Sequence, residues 1–257
     1  MQPSLVLNRR QQDLLGWVQR EGFASVEALA AHFGVTHQTI RRDINQLAHQ
    51  KLIRRYHGGA GLPSSIENMA YAARQVLFHE EKRRIAELVA QHIPNNASLF
   101  INIGTTTEEV AKALSRHRHL RVITNNLNVA NVMSGYPDCE VIIAGGLVRA
   151  RDKGITGEAT IDFIRQFKVD FGVIGISGIE SDGTLRDYDY HEVRVAEAIV
   201  GQSRKAYLVA DHSKFGRAAL VRLGHLSQIH AFFTDQPPPQ RMASVFAEAN
   251  TMVHVAT

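Results

Sequence analysis

The chain has 257 residues, a formal net charge of +4 and one cysteine, Cys139. That length allows two domains, the larger with a full apolar core, while one cysteine excludes a disulfide framework within the chain and any Cys-rich zinc site. No apolar run reaches the roughly 18 residues of a membrane span, and the opening MQPSLVLNRRQQDLL lacks the charged-then-apolar order of a signal peptide. A reducing cytoplasm is the expected compartment. The charge is unevenly placed: residues 1–60 hold eight Lys/Arg against four acids, and the remainder is balanced at 21 against 21. That is the footprint of a small nucleic-acid reader joined to a neutral partner.

Taken in order, residues 8–20 read as a first helix with Leu14, Leu15 and Val18 inward and Trp17 at the edge. Ser25 is placed to cap a second helix carrying Val26, Leu29, Ala30 and Phe33 on one stripe, and Gly34 makes the turn out of it. Thr36 is placed to cap a third helix, with Ile40, Ile44 and Leu47 at i, i+4, i+7. Its other faces carry His37, Gln38, Thr39, Arg41, Arg42 and Asn45, interrupted by one acid, Asp43. A charged helix face alone is most often plain solvated surface. Two short helices joined by a glycine turn, the second rich in donors, instead predict a helix-turn-helix whose third helix reads base edges. Lys51, Arg54 and Arg55 flank Leu52-Ile53, and His57-Gly58-Gly59 allows a tight turn, so a basic β-wing follows. The expected DNA contacts are Thr36, His37, Gln38, Thr39, Arg41, Arg42, Asn45, Lys51, Arg54 and Arg55. The DNA-binding domain is placed at 1–57, a Gly/Pro/Ser-rich linker at 58–74 and a second domain at 75–255.

From Glu80 the pattern is helical, with Ile85, Leu88, Val89 and Ile93 on one face before Pro94. Short apolar strands then alternate with helices: strands at 98–103, 121–124, 140–144, 170–176, 205–210 and 230–234, and helices at 108–114, 125–133, 161–167 and 192–202. This predicts an α/β domain built on a mainly parallel sheet covered on both faces. Ligands of such sheets sit beyond the carboxyl ends of the strands. Gly104-Thr105-Thr106, Asn125-Asn126, Gly145-Gly146 and Asp211 to Lys214 all fall there. A Gly/Thr turn opening a helix offers free N–H groups to an anion, and Lys214 adds a point charge. Each turn alone is more often a helix cap or a loop. Four on one edge predict a small phosphorylated ligand, with Asp182, Asp187 and Asp211 as candidates for its hydroxyls. Neither GxGxxG nor a P-loop occurs. Asp187, Asp189, His191 and Glu192 could serve acid–base chemistry or equally cap a helix. No nucleophile elbow or metal triad accompanies them, so no catalytic residue, metal or cofactor is expected.

The run TIRRDINQL with its upstream helix resembles the signature of the DeoR family of bacterial transcriptional regulators. The resemblance continues through RRYHGGA, FINIGTT, VITNNLNVA, AGG, GEAT, FGVIGISGI, DYDYHEV, DHSKFGR and TDQPPP. It implies a winged helix-turn-helix repressor with a sensor domain like ribose-5-phosphate isomerase, assembled as a dimer or tetramer. It implies release from operator DNA by glycerol 3-phosphate, or else by another sugar phosphate. The Lys-Gly-Gly-Gly run that carries chemistry in those isomerases has no counterpart in DYDYHE, which favours sensing over turnover. The alternative from another class is a sugar-phosphate isomerase or deaminase with an appended DNA-binding domain.

Overall fold

A computed structural model describes residues 7–21, 23–50, 52–56, 58–61 and 71–257. The chain divides into two compact units, Met1–His79 and Glu80–Thr257.

The first unit runs α1 (Arg9–Glu21), β1 (Phe23–Ser25), α2 (Val26–Phe33), α3 (His37–His49), β2 (Arg54–Tyr56), β3 (Gly59–Gly61) and α4 (Tyr71–Val76). The expected caps form. Ser25 accepts from the Ala28 N–H, Thr36 accepts from the Thr39 N–H, and Gly34 ends α2 in the left-handed region at φ 62°. Leu14, Leu15, Leu29, Ile40, Ile44, Leu47 and Leu52 are buried in one cluster. The glycine run after the wing turn is not linker: Gly59–Gly61 is the central strand of an antiparallel sheet ordered β1-β3-β2, with Ala60 fully buried. Small residues let that strand lie flat on the helices. Leu77 packs into the same cluster, so the first unit extends past residue 75. Lys51, His57 and the linker stretch 62–70 lie outside the described residues.

The second unit opens with α5 (His79–Gln91). It continues through β4 (Ser98–Ile101), α6 (Thr105–Ala113), β5 (Leu120–Thr124), α7 (Leu127–Met133), β6 (Cys139–Ile143), β7 (Leu147–Val148), β8 (Ile155–Thr156) and α8 (Glu158–Ile164). Then follow β9 (Val169–Ile174), β10 (Gly178–Ile179), β11 (Thr184–Asp187), α9 (Tyr190–Gly201), β12 (Ser203–Val209), β13 (Val221–His225), β14 (Ala231–Thr234), α10 (Ala243–Glu248) and β15 (Met252–Val255). Seven strands form a wholly parallel sheet in the order β15-β14-β12-β9-β4-β5-β6. Ile85, Val89, Val110, Val129 and Met133 from α5, α6 and α7 cover one face, and Ile161, Ile164, Val193, Ile199 and Phe246 from α8, α9 and α10 cover the other. β4 and β9 are adjacent although β5 and β6 lie between them in the chain, so the order reverses there. Features that were not expected include α10, β15 beyond the strand at 231–234, the β7–β8 hairpin and a small antiparallel sheet β10-β11-β13. Their strands have two to five residues, too few for alternation to show.

Leu47→Ala opens a cavity beneath α3 and is expected to destabilise the first unit by ~2–5 kcal/mol. Hydrogen exchange should show lost protection across residues 9–49 with the parallel sheet unchanged. Unchanged protection in α1 to α3 would contradict this packing.

Candidate nucleic-acid interface and small-molecule site

The outward face of α3 is built by its apolar stripe. With Ile40, Ile44 and Leu47 turned inward, Thr36, His37, Gln38, Arg41, Arg42 and Asn45 are exposed, and Thr39 is half-buried with its hydroxyl 2.9 Å from that of Thr36. Asp43 does not interrupt this face. It is buried, accepting from Arg10 Nε at 2.6 Å and Gln11 Nε2 at 3.1 Å. A carboxylate on the stripe side is tolerated because α1 supplies both donors, and its removal from the surface leaves the reading face without an acid of its own. Arg54 and Arg55 are exposed on the wing, and Arg55 Nη1 donates to Asn45 Oδ1 at 2.9 Å. A groove lined by Val26, Arg41, Ile44, Asn45, Arg55, Gly58 and Gly59 separates helix from wing. Sequence reasoning overlooked Glu27, exposed in the first turn of α2. Its carboxyl is held below the usual range, first by its own backbone hydrogen bond, with smaller contributions from the Ser25 hydroxyl, His37 and Arg41.

In the second unit the strand order reverses between β4 and β9, and the crevice that such a reversal generally makes is expected at their carboxyl ends. Gly104 enters α6 at φ 151° with no side-chain cap, so the first N–H groups of that helix have no side-chain acceptor. That φ favours glycine, and a Cβ would also sit tightly, 3.2 Å from Thr107 Oγ1. Thr107 braces the turn, its hydroxyl 2.8 Å from the carbonyls of both Asn102 and Gly104. Thr105 and Thr106 are buried beside it.

Asp211, beyond β12, is fully buried. Its Oδ1 accepts from the Ser213 N–H at 3.0 Å and from the Ser213 hydroxyl, and its Oδ2 lies 3.7 Å from Lys214 Nζ. Burial pushes this carboxyl up, but Lys214 and Lys82 outweigh it and hold it down at about 2. Lys82 is the residue that sequence reasoning missed. It is only 3% exposed on α5, and its signal was present: it stands on the apolar stripe, three and four residues before Ile85 and Ala86. His212 donates its N–H to Asp235 Oδ1 at 2.7 Å and sets Nδ1 2.6 Å from Oδ2. Burial opposes the imidazolium, yet Asp235 prevails and raises its pKa, helped by Asp211 and Glu81.

The other expected site residues divide. Asn126 is spent structurally, since Oδ1 caps α7 and Nδ2 donates to Glu108 at 3.0 Å. Asn125 is buried, and Nδ2 donates to the Ile155 carbonyl at 3.0 Å. Asp187 is buried, accepting from the Ser177 hydroxyl at 2.8 Å just past β9. Gly145 and Gly146 are exposed beyond the edge strand β6, where Gly145 accepts from the Thr160 hydroxyl at 2.8 Å. A Cβ on Gly146 would collide with that same hydroxyl, so this pair shapes the β7–β8 hairpin. Asp182 is a correction. It is exposed in the β10–β11 turn, capping the Thr184 N–H at 2.9 Å. The neighbouring Gly183 carbonyl accepts from Leu226, whose own carbonyl accepts from Thr251 just before β15. That places Asp182 toward the amino ends of the strands, away from the crevice.

Asp189 and Glu192 are likewise committed. Asp189 caps α9 and pairs with Arg149 at 3.0 Å and Arg151 at 2.8 Å, while Glu192 pairs with Arg149 at 2.9 Å. Among the described residues no group of three or more His, Cys, Asp or Glu is placed to hold a metal ion, and no helix is long and apolar enough to cross a membrane. A hollow of about 620 Å³ at the amino ends of the strands is lined by Asp138, Glu140 and Asp170 beside Arg121, a lining that disfavours an anion.

Residues 10–66 match the model of the DeoR-like helix-turn-helix domain and residues 77–236 that of the DeoR C terminal sensor domain. The chain belongs to the DeoR family of helix-turn-helix transcriptional regulators, and is a DNA-binding regulator rather than an enzyme. Within that family it is 53% identical over 240 residues to the glycerol-3-phosphate regulon repressor of Escherichia coli, covering 93% of this chain and 95% of the other. It is 53% identical over 229 residues to the repressor of the same name from Haemophilus influenzae, covering 89% of each. It is 43% identical over 237 residues to the Escherichia coli transcriptional repressor CsqR, covering 92% and 91%. A ribose 5-phosphate isomerase A from Neisseria gonorrhoeae superposes with a TM-score of 0.39 at 15% identity over 53% of each chain, a likeness too loose to carry an argument.

Two outcomes follow from this geometry. Arg41 and Arg42 point about 100° apart. Arg42→Ala is expected to cost operator discrimination ~1–3 kcal/mol, while Arg55→Ala weakens binding to operator and scrambled DNA alike and lowers the salt slope by about one. Equal losses on both DNAs for Arg42→Ala would remove it from base reading. For Asp211, the folded pKa lies below the unfolded 3.8, so its stabilisation is full above that value and is lost as pH falls toward about 2. The wild type should therefore lose roughly 2 kcal/mol more than Asp211→Asn between pH 4 and pH 2. Parallel pH profiles would contradict the pairing.

Proposed function

We propose that this chain represses genes of glycerol 3-phosphate metabolism, binding operator DNA through its first unit and leaving it when glycerol 3-phosphate occupies the second. The observation that carries the reading is the 53% identity, over 93% of the chain, to a glycerol-3-phosphate regulon repressor. The site chemistry supports it. The Gly104-Thr105-Thr106 turn opens α6 at the carboxyl end of β4, and Lys214 and Lys82 act together on Asp211 beyond the carboxyl end of β12. A phosphate there gains charge-assisted hydrogen bonds, each roughly twice as strong as a neutral one. Asp211 then serves to hold the two lysines, and Asn125 and Asp187 remain for the hydroxyls. The protein works without a cofactor, in the cytoplasm where its operator lies, as a homo-oligomer that presents paired reading helices to a two-fold operator.

Release requires the effector to favour the weakly DNA-binding state, so a variant that folds but loses the effector stays bound. Lys214→Ala and Thr105→Val are expected to hold operator at glycerol 3-phosphate concentrations that free the wild type by at least tenfold. Fluorescence anisotropy of labelled operator reads this directly. A wild-type response from both variants would place the phosphate elsewhere.

A further inference from the structure

We propose that Asn125, with Asn102 beside it, reads the effector's hydroxyl groups and makes the site selective for a polyol phosphate over its ketone or deoxy counterpart. The inference rests on the carboxyl-edge crevice being the effector site. The two residues lie at the ends of adjacent strands. The parallel register pairs Ile101 with Thr124, and one step further sets Asn102 beside Asn125. Both continue the face of Phe100 and Ile123, two residues behind them, since side chains alternate along a strand. Asn102 stands two residues before the Gly104 turn, so the pair adjoins the proposed phosphate position.

Both side chains are buried, Asn102 at 2% exposure and Asn125 at 1%, and the Oδ1 of each is buried without a hydrogen-bond partner. Buried polar atoms in folded proteins almost always have partners, and a buried one left without marks a ligand or an ordered water. For Asn125 the chemistry of the missing partner is fixed. Its Nδ2 donates to the Ile155 carbonyl at 3.0 Å, and Ile155 in turn donates to the Asn125 carbonyl at 2.7 Å. Turning the amide over would set Oδ1 against the Ile155 carbonyl, acceptor against acceptor. The end of Asn125 that awaits a partner is therefore an acceptor and takes a donor. A hydroxyl donates, whereas a ketone oxygen and a methylene do not. A phosphate ester whose neighbouring carbon bears a hydroxyl thus completes the site, and the corresponding ketone repels it. Asn102 is not pinned in this way, so its amide adapts to the second hydroxyl.

The test compares sn-glycerol 3-phosphate, dihydroxyacetone phosphate and propyl phosphate on the full chain by calorimetry, with operator binding and melting as controls of fold. The wild type should bind glycerol 3-phosphate at least tenfold more tightly than either analogue. Asn102→Leu and Asn125→Leu should bring the ratio toward one while propyl phosphate binding is kept. If Asn125→Leu fails to fold, the wild-type ranking and Asn102→Leu still decide. Equal affinity of the wild type for all three phosphates would overturn the inference while leaving the phosphate site standing, and so would an unchanged ratio in the folded variants. Binding of none of the three would instead sink the effector reading, and this inference with it.

Discussion

The larger unit depends on one constraint, the reversal of strand order between β4 and β9. Every strand of the sheet runs the same way, so all the turns that follow them emerge at one edge. At the reversal the helices leave on opposite faces, and the turns part. Beyond the carboxyl end of β12, Lys214 and Lys82 both act on the buried Asp211 carboxylate, which Lys214 approaches to 3.7 Å. The buried Lys82 and half-buried Lys214 are tolerated beside a carboxylate that is more deeply buried still. At the carboxyl end of β4, α6 begins with no side-chain cap.

The smaller unit solves the opposite electrostatic problem. Residues 1–60 concentrate the excess positive charge of the whole chain, and the reading face must keep it unneutralised. Turning Asp43 inward onto Arg10 and Gln11 does this and ties α1 to α3 in the same step. Arg55 is held to Asn45, so the wing and the reading helix present their donors as one surface. A charge drawn to any DNA and a helix that reads a particular sequence are separate contributions, and here they lie on neighbouring elements.

Much of this was legible in the sequence because it is written in short-range chemistry. Ser25 and Thr36 cap helices by contacts within three residues, and Ile40, Ile44 and Leu47 define a face by spacing alone. The central strands of the parallel sheet, such as β4, β9 and β14, are largely buried and read as apolar runs. What was not legible depends on distant partners. Asn125 and Asn126 are the same residue type in adjacent positions, yet Asn126 caps α7 and donates to Glu108 while Asn125 is buried against the carbonyl of Ile155 in β8. Asp182 looked like its neighbour Asp187, but the strand β11 between them carries them to opposite ends of the small sheet. Gly59–Gly61 looked like linker because flexibility and close packing both select glycine. Lys82 was readable and was missed, a cation on an apolar stripe where only a buried partner could accommodate it.

The account ties the two units together by thermodynamics: an effector that loosens operator binding must itself be loosened by operator, by the same factor. Calorimetric titration of sn-glycerol 3-phosphate into the free protein and into the protein saturated with operator measures that factor. The account requires weaker effector binding to the operator complex, by the ratio in which saturating effector lowers operator affinity. Equal effector affinity in the two titrations would contradict it.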